Sequence, residues 1–251
     1  MPRPRHWYDD DEMWMTFQSS MFNQERMEST PEEVTNLIEL LAIEDGNTIL
    51  DLCCGIGRHT LEFARCGFTV VGVDRTKQYV ETARKTAQDE GLDVEFVVDD
   101  MRTFTREAAF DAILSMYTSF GYFDAHEEQM RVLRNVYSSL KPGGRFVYQS
   151  MGKEVLARIF LPNNWSETED GFHLERREVS EDWSKMSNKW HYIRRDDGAI
   201  RSWNVEHWIY SAAEFKRMLA DTGFSEAKVY GDLDGSPYDH KAHCLIAVGI
   251  R

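Results

Sequence analysis

A parallel α/β sheet is the fold predicted by this chain of 251 residues, and three observations predict it. Short apolar runs that reach an acid at or near their ends, Thr48–Leu52, Thr69–Asp74 and Val94–Val98, alternate with stretches of helical period. The first run passes directly into a glycine turn, Gly55-Ile-Gly57, that opens a helix. Hydrophobic residues make up 42% and charged residues 29%, an ordinary globular balance over a length that suits one large domain or a domain with an insertion.

Taken in order, residues 1–30 form an N-terminal segment rich in aromatics (Trp7, Tyr8, Trp14, Phe17, Phe22) beside the acidic run Asp9 to Glu12. Such rings are costly to leave in water, so the segment is expected to lie on the domain as a lid, or as a surface helix filling a gap. Ser29-Thr30-Pro31-Glu32-Glu33 supplies an N-cap, a proline in the first turn and acids facing the dipole, predicting a helix to about Ala42. Strand and helix then alternate: Thr48–Leu52, Arg58–Arg65, Thr69–Asp74, Gln78–Glu90, Val94–Val98, Phe110–Met116, Glu127–Leu140 and Arg145–Met151. Beyond Met151 the rhythm breaks. Residues from about 165 to 210 read as antiparallel strands, with Asp197-Gly198 turning Lys185–Arg195 back onto Ala199–Tyr210. A helix at Ala212–Thr222 and strands at Ser225–Tyr230 and Cys244–Ile250 close the chain. The expected organisation is a lid at 1–30 and one domain at 31–251, with a β insertion at about 165–210.

The formal charge of −14 repels a polyphosphate backbone, so nucleic acid is a disfavoured partner. The basic cluster Arg194, Arg195 and Arg201 sits beside Asp196 and Asp197; it is either a clamp for an anionic group or the solvated tip of a hairpin. No run approaches a membrane span, and a cytoplasmic protein is expected. Cys53, Cys54, Cys66 and Cys244 have neither zinc-ligand nor disulfide spacing, which predicts reduced thiols and no metal.

The chemistry-bearing motifs lie at the strand ends. Gly55 and Gly57 let backbone approach a ligand, and the helix behind them offers free amides and a positive dipole. Asp74, seventeen residues after Gly57, can accept both hydroxyls of a ribose, for a dinucleotide or for another adenosine. A third acid-ended strand at Asp99-Asp100 favours an adenosine ligand carrying a free amino group.

Together, Ile49-Leu-Asp-Leu-Cys-Cys-Gly-Ile-Gly57, Val71-Gly-Val-Asp74, Asp99-Asp-Met-Arg102, Phe110-Asp-Ala-Ile-Leu114 and Leu140-Lys-Pro-Gly-Gly-Arg145 resemble the class I S-adenosylmethionine (SAM) dependent methyltransferases. The resemblance covers about residues 30–150. It implies a Rossmann-like sheet of seven strands, order 3-2-1-4-5-7-6 with the seventh antiparallel, and SAM as cofactor with S-adenosylhomocysteine as product. By position it places Asp51 and the Gly55–Gly57 turn at the methionine part of SAM, Asp74 at the ribose, and Asp100 with Met101 at the adenine; Cys53, Arg75 and Met116 join them as neighbours. Asp51 also suits a cap on the turn amides, and Asp100 a cap on a helix at 103–107. Past Met151 the layout looks most like sugar N,N-dimethyltransferases and glycine or sarcosine methyltransferases, which implies a β roof over a small-molecule acceptor and an N-terminal aromatic and arginine closing over SAM, here Tyr8, Phe17 and Arg26.

Methyl transfer from a sulfonium is an in-line displacement that needs alignment and dryness more than activation. Tyr117 and Ser119 follow the fourth strand and face that chemistry in this fold; His191 and His207 are candidate bases on the roof, and Tyr192 and Arg201 candidate acceptor contacts. On the second hairpin strand Arg201, Trp203, Val205, His207 and Ile209 share one side, and sequence leaves open which side meets the cleft. Competing functions are methylation of a protein side chain or tRNA, an NAD-binding oxidoreductase, and a SAM-binding regulator without turnover. A homodimer is compatible with the aromatic N-terminus.

Overall fold

The computed structural model describes residues 6–251; the first five residues of the lid segment lie outside the described residues. A 3-10 turn at Trp7–Asp9 leads into α1 (Asp11–Thr16), capped by the Asp10 carboxylate on the Glu12 and Met13 amides, then α2 (Gln18–Met21), α3 (Gln24–Glu28) and α4 (Thr30–Leu41). The cap expected of Ser29 does not form. Ser29 already has helical backbone at the joint between α3 and α4, so its hydroxyl donates to Glu33 at 2.7 Å instead of accepting an amide.

The main sheet follows: β1 (Thr48–Leu52), α5 (Arg58–Arg65), β2 (Thr69–Asp74), α6 (Lys77–Glu90), β3 (Glu95–Val98), β4 (Phe110–Ser115), α7 (His126–Ser139) and β5 (Leu140–Ser150). A short helix unforeseen in the sequence, α8 (Lys153–Ile159), leads to the insertion: β6 (Asn163–Glu167), β7 (Gly171–Val179), β8 (Lys185–Arg194) and β9 (Ile200–Trp208). The chain returns through α9 (Ala212–Thr222), β10 (Glu226–Tyr230) and β11 (Leu245–Ile250). Strand order in the main sheet is β10-β11-β5-β4-β1-β2-β3, with β11 antiparallel to both neighbours and the other pairings parallel. This is the expected order with β10 as sixth strand and β11 as seventh. The insertion is a separate antiparallel sheet, β6-β7-β8-β9.

Alternation sorts the main-sheet residues. Leu50, Val71, Ile113 and Phe146 pack with Leu133 and Val136 of α7 and Phe215 and Leu219 of α9; their neighbours Ile49, Val70, Ala112 and Val147 pack with Val34, Leu37 and Leu41 of α4. Crossovers run outward in opposite directions from β1 and β4, so a crevice opens at the carboxyl ends of these two strands, where open α/β sheets bind ligands.

Phe215 is fully buried and stacks on Tyr148 with ring centroids 3.9 Å apart. Phe215→Ala is expected to lower stability by about 3–5 kcal/mol in denaturant titration; a loss under about 1 kcal/mol would mean that this ring is not part of the core.

Candidate active site

The Gly55 turn is built by backbone that bends where a strand should continue. The amides of Cys53 and Cys54 both donate to the Val73 carbonyl, and Cys53, Gly55 and Gly57 take left-handed conformations. A Cβ on Gly55 would sit 2.6 Å from the Phe22 ring, and one on Gly57 would sit 2.9 Å from the Ala83 methyl. Gly55 is therefore needed for close approach at the mouth of the turn, and Gly57 for packing α5 onto α6.

Three strand-end carboxylates surround this turn. Asp74 accepts the Gly55 amide at 2.9 Å and the Thr76 amide at 2.8 Å; burial pushes its carboxyl above its ordinary value, and the two amides offset part of that rise. Asp51 is buried, and one of its oxygens accepts the Thr60 amide at 3.1 Å and hydroxyl at 2.6 Å, so it does cap the turn while lining the cavity. Asp100 is gripped by the Arg102 side chain and amide, which outweigh its burial and hold its carboxyl below the usual range. No helix forms at 103–107; Asp100 closes a turn there.

A second knot lies across the turn. One Glu33 oxygen accepts the Ser29 hydroxyl at 2.7 Å and the Tyr117 hydroxyl at 2.8 Å, while the other meets Arg58 and His59, each at 2.8 Å. Burial would raise this carboxyl, but its bonds to His59 and Arg58 prevail and hold it well below the carboxylate range. Tyr117 and Thr118 both have left-handed backbone, and the Tyr117 ring lies under the Arg58 and Arg26 guanidiniums at 4.5 and 4.9 Å. The Tyr117 hydroxyl is thus committed to Glu33.

The N-terminal segment covers this crevice and fastens it to the roof. Arg75, at the end of β2, donates to the Tyr8 and Asp9 carbonyls; Tyr79 donates to the Trp14 carbonyl. Trp7 donates to the Glu206 carbonyl at 2.9 Å, and Trp203 to the Asp10 carboxylate at 2.8 Å. Phe17 is buried against His173, Trp190, Tyr192 and Trp203. Burial, led by loss of water, pushes the Tyr8 phenol up to about 12.

One cavity of about 590 Å³ results, running from the Gly55 turn to the roof. Tyr8, Phe17, Arg26, Asp51, Cys53, Gly55, Asp74, Arg75, Asp100, Met101, Met116, Tyr117, Ser119 and His207 line it. Gly57 lies behind the turn. His191, Tyr192 and Arg201 do not line it: His191 bonds to Ser202 on the outer face of the roof, Tyr192 is packed with Met13 and Phe17, and Arg201 pairs with Glu12. Arg194 pairs with Asp196 and Asp197, and Arg195 with Glu167, so the basic cluster is the charge-paired tip of a hairpin. Val205 and His207 give the cavity side of β9, and Ile209 just beyond it lines the cavity as well. Sequence reasoning missed His173, Glu175, Arg177, Asn188 and Trp190, which line the cavity from β7 and β8; the signal was available in the period-two alternation of those strands, but only once the inward face is known.

Residues 49–144 match the family model of a methyltransferase domain. Over 225 residues the chain is 22% identical to the putative methyltransferase YqeM of Bacillus subtilis, covering 85% of this chain and 87% of that one. It is 33% identical over 148 residues to the 23S rRNA (uracil(1939)-C(5))-methyltransferase RlmD of Alkalilimnicola ehrlichii, a match spanning 57% of this chain but 31% of the relative. Among solved structures, the sugar N-methyltransferase KedS8 of Streptoalloteichus superposes with a TM-score of 0.69 at 19% identity, over 94% of this chain and 91% of that one.

Two predictions follow from the charges. Glu33→Ala leaves Arg58 facing no carboxylate and is expected to cost about 3 kcal/mol in denaturant titration. Burial lowers His207 from its ordinary 6.5 to about 4, partly opposed by Glu206. The unfolded chain then binds a proton between those two values that the folded chain refuses, so this group's contribution to stability falls as pH drops from 6.5 toward 4. His207→Gln is expected to flatten that part of the stability-versus-pH curve; an unchanged slope would show that His207 protonates freely in the folded protein.

Proposed function

We infer that this chain, a SAM-dependent methyltransferase of the class I fold, methylates a small-molecule acceptor held between the Gly55 turn and the roof sheet. The observation that carries the reading is the cavity of about 590 Å³ bounded by both sheets and the N-terminal segment, a volume in the range of small-ligand sites. The similarity to a sugar N-methyltransferase structure supports it. The RlmD match admits RNA as the second reading, and the chain's charge of −14 weighs against it.

The residues present fit the cofactor. The Gly55 turn and the carboxylates of Asp51, Asp74 and Asp100 line the cavity, and on this reading Asp74 takes the ribose hydroxyls, Asp100 and Met101 the adenine, and Asp51, Cys53 and Met116 the amino-acid end, with Tyr8, Arg26 and Arg75 closing the chamber. SAM, when bound, supplies a methyl carbon activated for in-line displacement. The protein's share is to exclude water and aim the nucleophile. Tyr117, fixed by Glu33 and two guanidiniums, and Ser119, whose hydroxyl donates to the Met116 carbonyl at 2.6 Å, form the wall at the end of β4. His207, neutral above about 4, accepts a hydrogen bond from the acceptor but is too weak a base to hold its proton at neutral pH.

Incubation with labelled SAM and a fractionated cell extract is expected to put the label in low-mass compounds; label confined to RNA or protein would overturn the small-molecule reading. By calorimetry S-adenosylhomocysteine is expected to bind and NADH not to, and Asp74→Ala to weaken S-adenosylhomocysteine about tenfold or more, roughly 1.4 kcal/mol.

A further inference from the structure

We propose that His173 of β7 with Asn188 and Trp190 of β8 form the acceptor-recognition subsite, and that it takes an uncharged ring bearing neighbouring hydroxyl groups. This rests on the methyltransferase reading above and adds the chemistry of the group recognised.

The three side chains line the cavity from one face of the roof. Register places Arg177 opposite Asn188, Glu175 opposite Trp190 and His173 opposite Tyr192, so the three side chains follow one another along the face with Trp190 in the middle, its ring 5.1 Å from that of His173. His173 is 7% and Asn188 3% exposed, yet His173 Nε2, Asn188 Oδ1 and Trp190 Nε1 have no hydrogen-bond partner among the described residues. A buried polar atom left unmet loses its water without compensation, and native interiors rarely keep several together without a use for them. Their roles are complementary: the indole N–H only donates, the amide oxygen only accepts, and the imidazole nitrogen does either. The Asn188 amide is also oriented, because its Nδ2 donates to Glu175 at 2.7 Å and so leaves Oδ1 as the unpaired atom.

Charge decides which ligand fits. Glu175 accepts Arg177 Nε at 3.1 Å and Nη2 at 2.7 Å through the same oxygen that holds Asn188. The two opposite charges on this face thus cancel, and burial holds His173 below its ordinary value. A carboxylate, phosphate or ammonium entering here would lose water and find no free counter-charge on this face among the described residues. A hydroxylated ring needs none. Its adjacent hydroxyls give and accept in turn, and the Phe17 and Trp190 rings, 4.8 Å apart edge to face, supply an apolar wall for its carbon frame.

The test uses saturation-transfer NMR on the S-adenosylhomocysteine-loaded protein with three probes sharing one ring: methyl α-glucopyranoside, the corresponding methyl glucuronide, and its 6-phosphate. The uncharged probe is expected to bind at least about tenfold better than either anion. Asn188→Leu and Trp190→Phe are each expected to weaken it about fivefold or more while leaving S-adenosylhomocysteine affinity unchanged. The milder Trp190→Phe keeps the ring and removes only the donor, so it decides the matter if Asn188→Leu does not fold. Equal binding of the anionic probes, no binding of the uncharged one, or full retention of its binding in Trp190→Phe overturns the subsite. Failure of the wild-type protein to bind S-adenosylhomocysteine would instead overturn the methyltransferase reading, and is read separately in the loading step.

Discussion

The Asp74 carboxylate holds the amide of Gly55 with one oxygen and that of Thr76 with the other, and the rest of the site depends on it. Through Gly55 it fixes the turn after β1, and through Thr76 the start of α6. A buried carboxylate is costly unless its lone pairs are met; here backbone donors from two separate loops meet them, so the charge is tolerated only while both loops stay in place. The turn in turn aims α5, whose first residues Arg58 and His59 reach Glu33. Glu33 then holds Tyr117, the residue at which the chain leaves β4. Two carboxylates, each with both oxygens occupied, connect the ends of β1, β2 and β4 to one another.

The sequence showed the scaffold more plainly than the site. Strand runs such as Thr69–Asp74 and the α9 boundaries Ala212–Thr222 were legible because apolar alternation, the Ser211 capping box and Gly223 in a left-handed cap are local signals. The end of the cavity at the strand termini was legible for the same reason: Asp51, Gly55, Asp74 and Asp100 sit at strand ends whose positions follow from the runs themselves, and all four line the cavity. Glu33 was read as an acid facing a helix dipole. Its partner Tyr117 lies 84 positions away, and no local pattern joins the two.

The roof was legible as strands and not as a surface. Period two separates Trp203, Val205 and His207 from Ser202, Asn204 and Glu206 but says nothing about which set turns inward. That choice is made by the N-terminal segment, through Trp7 on Glu206 and Asp10 on Trp203. His191, on the outward set with Ser202, therefore lies off the cavity and His173 on β7 lies in it, while Arg201 shares the inward set but pairs with Glu12 away from the cavity. The arginines at 194, 195 and 201 were legible as either clamp or tip, and acids brought near by folding, Glu12 and Glu167 among them, make them tip.

That the two sheets share no hydrogen-bonded strand has a consequence for how such a molecule can diversify. The side chains at 173, 188 and 190 hang from a ladder that contributes no backbone bond to the Gly55 turn, so exchanging them re-cuts the roof and leaves the Asp74 and Glu33 networks untouched. On the function proposed above, chemistry and selectivity are then carried by separate pieces of backbone, and the second can be changed without disturbing the first.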